Sequence, residues 1–426
     1  MDYVAPPANL RVEDLPGNFV HITWTILNAG VLLNWVEVSS DRLFNKIVYQ
    51  NAELFEVSVY LNFSGTYFLR VQSLSEHYAW SDWSETISFQ IERSGWVPVG
   101  LPHSSEILCS ISYKGLLFAG TKDPGQLLRW EGTSWEIVAD QHVCEGQIIC
   151  LVEYEGFLYA GTGPDSSGLG GGALLKWNGS NAWDLVAEQS DLQKEIRCLY
   201  VFKEKLFGGT SSGGCLFLLE PGGSWKKVAS KKNNQTVIHS MVSYNGFLYA
   251  STGGVSSEGG NLFKWDGTGA WEIRASLNLD LGLYLDIRSL FIWSGSLYGD
   301  NLKWDNIDSW VDGFEGIGIP LVHDNRLYGI RDISPYGCLK LFDPGPEQEY
   351  APPIFMYERG VMAPIKMVLG FSYNDEIYAI SGGPTDLSSQ YSNQMFLYKS
   401  SSMEPPAIVF REAGFRRLNG PNIIFD

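Results

Sequence analysis

The sequence predicts an all-β chain in two unlike parts, a β-sandwich over residues 1–94 and a seven-bladed β-propeller over residues 95–400. Three observations carry that expectation. Short segments of alternating apolar and polar residues recur through the first part, the period-two pattern of half-buried strands. A single fragment with two aromatic rings five residues apart then returns seven times along the rest of the chain. Finally, 46 glycines and 15 tryptophans go with an absence of long runs of helix formers, a composition suited to tight turns between short strands.

Bulk properties bound the function. A length of 426 residues exceeds what one small core fills. The formal charge of −18 leaves no broad basic field, which argues against nucleic acid and anionic membranes as partners. No apolar run reaches the length of a membrane span, so membrane insertion is not expected. The opening MDYVAPPANLRVEDLPG has neither a basic n-region nor an apolar h-region, so no secretory signal is expected. Cys109, Cys144, Cys150, Cys198, Cys215 and Cys338 match no zinc spacing and no compact disulfide framework, and read as free thiols.

In the first part, VHITWT (20–25), LNWVEVSS (33–40), TYFLRVQSLS (66–75) and ETISFQI (85–91) are the clearest strands. Just before the last lies YAWSDWSE (78–85), with two tryptophans three apart, each followed by serine. Such a box resembles that of class I cytokine receptors, which also carry a signal, paired cysteines and a membrane anchor; none of these is expected here. Residues 1–94 resemble instead a fibronectin type III domain, an immunoglobulin-like sandwich. Trp24 matches that family's buried tryptophan of strand B, and Leu61, Gly65 and Tyr67 its tyrosine corner. The strand period puts Arg70 on one face with Phe68 and Gln72, in reach of Trp80 and Trp83. Stacked pairs of this kind contribute about 0.5–2 kcal/mol each. Arg70, Trp80 and Trp83 are therefore expected to form a structural ladder, with contact to a partner as the alternative.

The second part repeats ISYKGLLFAGT (111–121), VEYEGFLYAGT (152–162), YVFKEKLFGGT (200–210) and VSYNGFLYAST (242–252), then three degenerate copies at 291–300, 321–330 and 371–380. Each copy is followed by a strand such as LLRW or LLKW and an outer strand opened by tryptophan, as in SWEIVAD, AWDLVAE, SWKKVAS and AWEIRAS. Four short strands per unit is the propeller pattern, here of a kelch-like or lectin-like type. GWVPVGL (95–101) carries the outer-strand pattern yet precedes the first unit. It is expected to complete blade seven, with Trp96 in the part of Trp135 and Trp183; AIVF (407–410) is the alternative. Residues 401–426 then lie beyond the ring. Phe410, Phe415 and Phe425, among Arg411, Arg416 and Arg417, suit docking onto a neighbouring subunit or protein, against the plainer reading of a frayed end.

No hydrolase elbow, zinc-protease pair, P-loop or dinucleotide fingerprint occurs, so no catalytic residue, cofactor or metal is expected. GLGGGA (168–173) opens a strand and reads as a blade loop, not a phosphate cradle. On the innermost strands, Cys109, Cys150, Cys198, Ser240 and Ser289 hold one position, read as buried small residues in preference to metal ligands. The preceding position is Leu108, Ile149, Arg197, His239 and Arg288. Arg197, His239 and Arg288 thus share one level at the channel mouth, either binding an acidic sugar or other anionic glycan or paired internally with Glu195 and Asp286. A sandwich joined to a propeller resembles tail and adhesion proteins of bacteriophages. That resemblance implies a non-enzymatic virion component, present in several copies beside other tail proteins and directed at a host-surface glycan. A soluble or cell-surface lectin, a propeller polysaccharide hydrolase and an intracellular kelch-type scaffold are the alternatives.

Overall fold

The computed structural model describes residues 4–399 apart from 331–338, 343–347, 383–392 and several shorter stretches. Residues 400–426, and with them Phe410, Phe415, Phe425 and segment 407–410, lie outside the described residues. The chain is all-β, a sandwich followed by a ring of seven four-stranded sheets among the described residues.

The sandwich strands are β1 (Ala8–Leu15), β2 (Phe19–Thr25), β3 (Val31–Ser39), β4 (Ile47–Glu53), β5 (Glu56–Tyr60), β6 (Gly65–Ser75) and β7 (Ile87–Ile91). They form two sheets, ordered β1-β2-β5 and β4-β3-β6-β7. Strand alternation selects the inward set: Val20, Ile22 and Trp24 of β2, Val36 and Val38 of β3, and Tyr67, Leu69 and Val71 of β6 share one buried cluster. The two serines of the tryptophan box fasten that segment to β6. The N–H groups of Ser81 and Ser84 donate to the carbonyls of Ser73 and Val71 at 2.9 and 2.8 Å. Their hydroxyls accept the N–H groups of the same two residues at 2.9 and 3.0 Å. Each hydroxyl thereby stands in for a strand carbonyl, and two β6 donors that would otherwise be orphaned are satisfied.

Arg70 is sandwiched between Phe44 and Trp83, its guanidinium carbon 4.0 and 4.1 Å from the two ring centroids. Its Nε and Nη2 both donate to Glu37 Oε2, at 2.9 and 2.7 Å. The expected ladder is corrected in one member. Trp80 bridges to Leu74, four residues beyond Arg70 and so about 13 Å along the strand. It is 48% exposed, and Phe44 takes its place.

In the propeller, the strands of each blade run a to d from the centre outward. Strand a is Glu106–Tyr113 in blade one, Gln147–Tyr154 in blade two, Glu195–Phe202 in blade three and Gln235–Tyr244 in blade four. It is Leu290–Trp293 in blade five, Ile319–His323 in blade six and Met367–Tyr373 in blade seven. Blades one and two are also joined by one pair, Lys122 with Gln147. A hairpin, Phe355–Glu358 with Val361–Pro364, is inserted between blades six and seven. The outermost place in blade seven is taken by β8 (Gly95–Val99), paired with Met395–Lys399. Trp96 faces Tyr398 there as Trp135 faces Trp130 and Trp183 faces Trp177.

The core is divided into seams, one between each pair of neighbouring blades. Leu127 and Phe118 of blade one meet Ile148 and Trp177 of blade two. Phe207 and Leu216 of blade three meet Trp265 and Phe263 of blade four. The ring shuts where Ile380 and Met395 of blade seven pack on Ile107 and Leu128 of blade one. A second device runs along the seams. The ring ending strand a donates to a carbonyl in the a–b turn of the next blade: Tyr113 to Gly156, Tyr154 to Glu204, Tyr244 to Gly295, Trp293 to Asn325, and Tyr373 across the closure to Gly115. Those turns are two-residue hairpins with both residues at positive φ, such as Asn245 (48°) and Gly246 (79°), the type I′ form that suits strand twist.

A hydroxyl clamp closes strand b. Thr121, Thr162, Thr210, Thr252 and Ser381 accept the N–H of Gln126, Ala173, Cys215, Asn261 and Gln394 respectively, and donate to carbonyls close by. Behind two of these clamps stands a glutamine whose side-chain oxygen shares the hydroxyl's one proton with the carbonyl: Gln193 at Thr210 and Gln235 at Thr252. Glu145 holds the corresponding place by Thr162, buried, with Oε2 lacking a hydrogen-bond partner. Burial raises its pKa, against lowering by Thr162, His142 and Gly171. A raised carboxyl pKa gives stability that is present below the ordinary glutamate range and lost as pH climbs through the raised value. Glu145→Gln is therefore expected to melt with the wild type at pH 4 and above it at pH 7.5, as calorimetry would show.

Candidate ligand site at the mouth of the propeller

Strand a starts on the face that carries the b–c loops. In five blades its pairing with strand b skips one residue there: Leu108, Ile149, Arg197, His239 and Val368. A bulge leaves that residue unpaired and re-aims its side chain. One level of the mouth is thus apolar in blades seven, one and two, and carries Arg197 and His239 in blades three and four.

Blade five reaches the same level differently. Its b–c turn is only Asp300 and Asn301 between Ser296–Gly299 and Leu302–Trp304. The Asp300 carboxylate accepts the N–H groups of Arg288 and Ser289, each at 2.9 Å, and the Ser289 hydroxyl at 2.8 Å. In blades one to three the corresponding cross-strand pairs are Cys109 with Gly120, Cys150 with Gly161 and Cys198 with Gly209. A Cβ on any of these glycines would come within 2.8 Å of the facing sulfur. Each thiol donates to an isoleucine carbonyl of the next blade, at 3.4–3.6 Å, and burial pushes all three pKa values up. They are protonated packing residues. The exchange of Cys–Gly for Ser289–Asp300 is visible in the repeat, but only the fold shows that it fixes Arg288.

Arg197, His239 and Arg288 are brought together with Asp286. His239 Nε2 lies 3.3 Å from Asp286 Oδ2; a Cβ at Gly253 would sit 2.4 Å from that carboxyl, so glycine opens the space it occupies. Burial lowers the His239 pKa below 6.5, Asp286 opposes this, and the Arg197 and Arg288 guanidiniums lower it further. Arg197 is 44% exposed along its side chain and reaches Glu195 only at 4.0 Å. Arg288 is exposed and makes no ion pair among the described residues. Of the two sequence expectations, internal pairing describes His239 well, Arg197 loosely and Arg288 not at all. Among the described residues no group of three or more histidines, cysteines and acids is placed to hold a metal, and no helix is long and apolar enough to cross a membrane.

No protein-family model matches the chain, and no curated protein matches it. Solved structures do. The extracellular domain of a hybrid two-component system from B. thetaiotaomicron aligns with a TM-score of 0.51 at 15% identity, covering 73% of this chain and 40% of that one. A second extracellular domain of this kind from the same organism aligns at 0.50 and 12%, covering 91% of this chain and 61% of that one. The chain thus spans less than two thirds of each. At such identities the likeness shows the all-β fold alone.

Proposed function

We propose that the protein is a non-enzymatic recognition protein whose propeller mouth binds an anionic glycan. The convergence at one level of Arg197, His239 and Arg288, with Leu108, Ile149 and Val368 at that level in blades one, two and seven, carries the reading. Guanidinium forks grip carboxylate or phosphate, and the apolar arc suits the ring faces of a sugar. The exposed Arg288, unpaired among the described residues, is the group a ligand would engage first.

The setting we propose is the adhesion apparatus of a tailed-phage virion, several copies of the chain standing beside other tail proteins. The sandwich, of fibronectin type III kind, serves as its structural arm. Its three-plus-four strand order and buried Trp24 support that assignment, and the pairing of such an arm with a propeller supports the setting. Mass spectrometry of purified virions checks it: a chain absent from particles and active as a soluble binder is a lectin.

Glycan arrays test the mouth directly. Binding to acidic glycans is expected, reduced at least roughly tenfold in Arg197→Ala plus Arg288→Ala. Because burial and the two guanidiniums lower the His239 pKa, an anion that draws a proton onto the ring should bind more tightly as pH falls. His239→Gln is expected to flatten that dependence. Undiminished binding by the double variant ends the proposal, and release of shortened polysaccharide on incubation would make the protein a hydrolase.

A further inference from the structure

On the opposite face, where the a–b turns lie, the seam between blades four and five opens into a cleft of about 240 Å³. Internal repetition singles it out. The outer strands read WEIVA, WDLVA and WKKVA in blades one to three but WEIRA in blade four. In each, the residue before the alanine is skipped by the pairing of strands c and d. Val138, Val186 and Val228 use that position to pack into the seam with the next blade. Arg274 puts a guanidinium there instead. Its Nη2 donates to Glu272 at 2.8 Å, while its Nε is buried with no partner. That nitrogen is one of several buried polar atoms without a partner among the described residues, and Trp304 Nε1 in the same lining is another. Two such donors at one cleft mark a place where an acceptor belongs.

The rest of the lining fits one kind of acceptor. Lys264 Nζ stands 3.5 Å over the Phe247 ring, a second cation at the same cleft. The Asn306 side-chain amide lies 2.9 Å from the Tyr244 hydroxyl, whose one proton is shared with the Gly295 carbonyl, and adds an amide donor at the cleft. Tyr249 and Trp304, with ring centroids 5.3 Å apart, form the apolar wall. Donors dominate, so the ligand is rich in acceptors and negatively charged. A bare inorganic anion would leave the wall unused, and a neutral sugar, whose hydroxyls can accept from Arg274 Nε, would bring no charge to offset Arg274 and Lys264. The volume admits one ring, not a chain. Blade two supplies an internal control: Lys176 stands over Phe157 at 3.4 Å, but Val186 and Leu219 replace the arginine and the tryptophan.

We propose that this cleft is a second ligand site, independent of the mouth, that takes a carboxylate-bearing sugar ring of hexuronate type between Arg274, Lys264 and the Tyr249–Trp304 wall. Calorimetric titration of the full chain carrying Arg197→Ala plus Arg288→Ala separates it from the mouth, with glucuronate, glucose and acetate as probes. Glucuronate is expected to bind that background, acetate and glucose at least roughly tenfold more weakly. Arg274→Val, which installs the residue of blades one to three, is expected to cost roughly tenfold or more in glucuronate affinity. Lys264→Met provides a second test should Arg274→Val alter the melting curve. Glucuronate binding no stronger than acetate, or unchanged in both cleft variants, or lost already in the mouth background, overturns the assignment. Array binding that the two mouth substitutions leave undiminished, with glucuronate binding at the cleft intact, would sink the mouth reading alone.

Discussion

Trp96→Ala is expected to destabilise the ring by about 3–5 kcal/mol, the cost of emptying a fully buried tryptophan site. Trp96 is 1% exposed and packs with Phe396, Ile377 and Leu339 in the seam between blades six and seven. It also meets the Tyr398 ring edge-on at 6.1 Å. The same truncation at Trp135, which pairs equivalently but is only half-buried, should cost markedly less. Urea titration followed by tryptophan fluorescence checks both. Equal midpoints for the two variants would mean that β8 is a spectator of closure.

Arg70→Met is expected to cost the sandwich about 2–4 kcal/mol, because it strands a carboxylate. Glu37 is 8% exposed, and Arg70 is its ion-pair partner at 2.7 Å. Losing the guanidinium leaves that charge to the weaker Trp35 indole N–H at 3.2 Å. Adding Glu37→Gln should restore part of the loss, and the double-mutant cycle isolates the pair. Trp83→Ala removes one of two stacked rings and should cost about 1 kcal/mol. Trp80→Ala, at an exposed ring away from Arg70, should fall within about 0.5 kcal/mol of the wild type. Chemical denaturation of the sandwich reads all four. A Trp80 effect as large as that of Trp83 would contradict the geometry.

The repeat was legible because each blade must solve the same local problem. Two-residue turns such as Lys114-Gly115 and Asn245-Gly246 tolerate positive φ, and the tryptophan opening strand d needs a buried seam. Both leave a residue-level mark. The ring at Tyr113, Tyr154 and Tyr244 was visible too, but its hydrogen bond to the next blade was not, since the acceptor is a main-chain carbonyl some forty to fifty residues away. Likewise the sequence aligned Arg197, His239 and Arg288 without showing the bulge that turns the first two into the mouth. Trp80 was misplaced because spacing says nothing of how far along β6 the box is fastened. The hairpin between blades six and seven carries no repeat signal, and Arg274 looked like one more variation in a tolerant outer strand.

Gly95 pairs with Lys399 at one end of the latch, and Val99 with Met395 at the other. The two chain directions therefore leave the ring side by side. Tension between them would peel the five pairs one after another, as a zip opens, where a shear geometry would have loaded all of them together. The protein should bear large forces led in through its blades and give way at small ones applied across its ends, a bias that single-molecule pulling from different anchor points would expose.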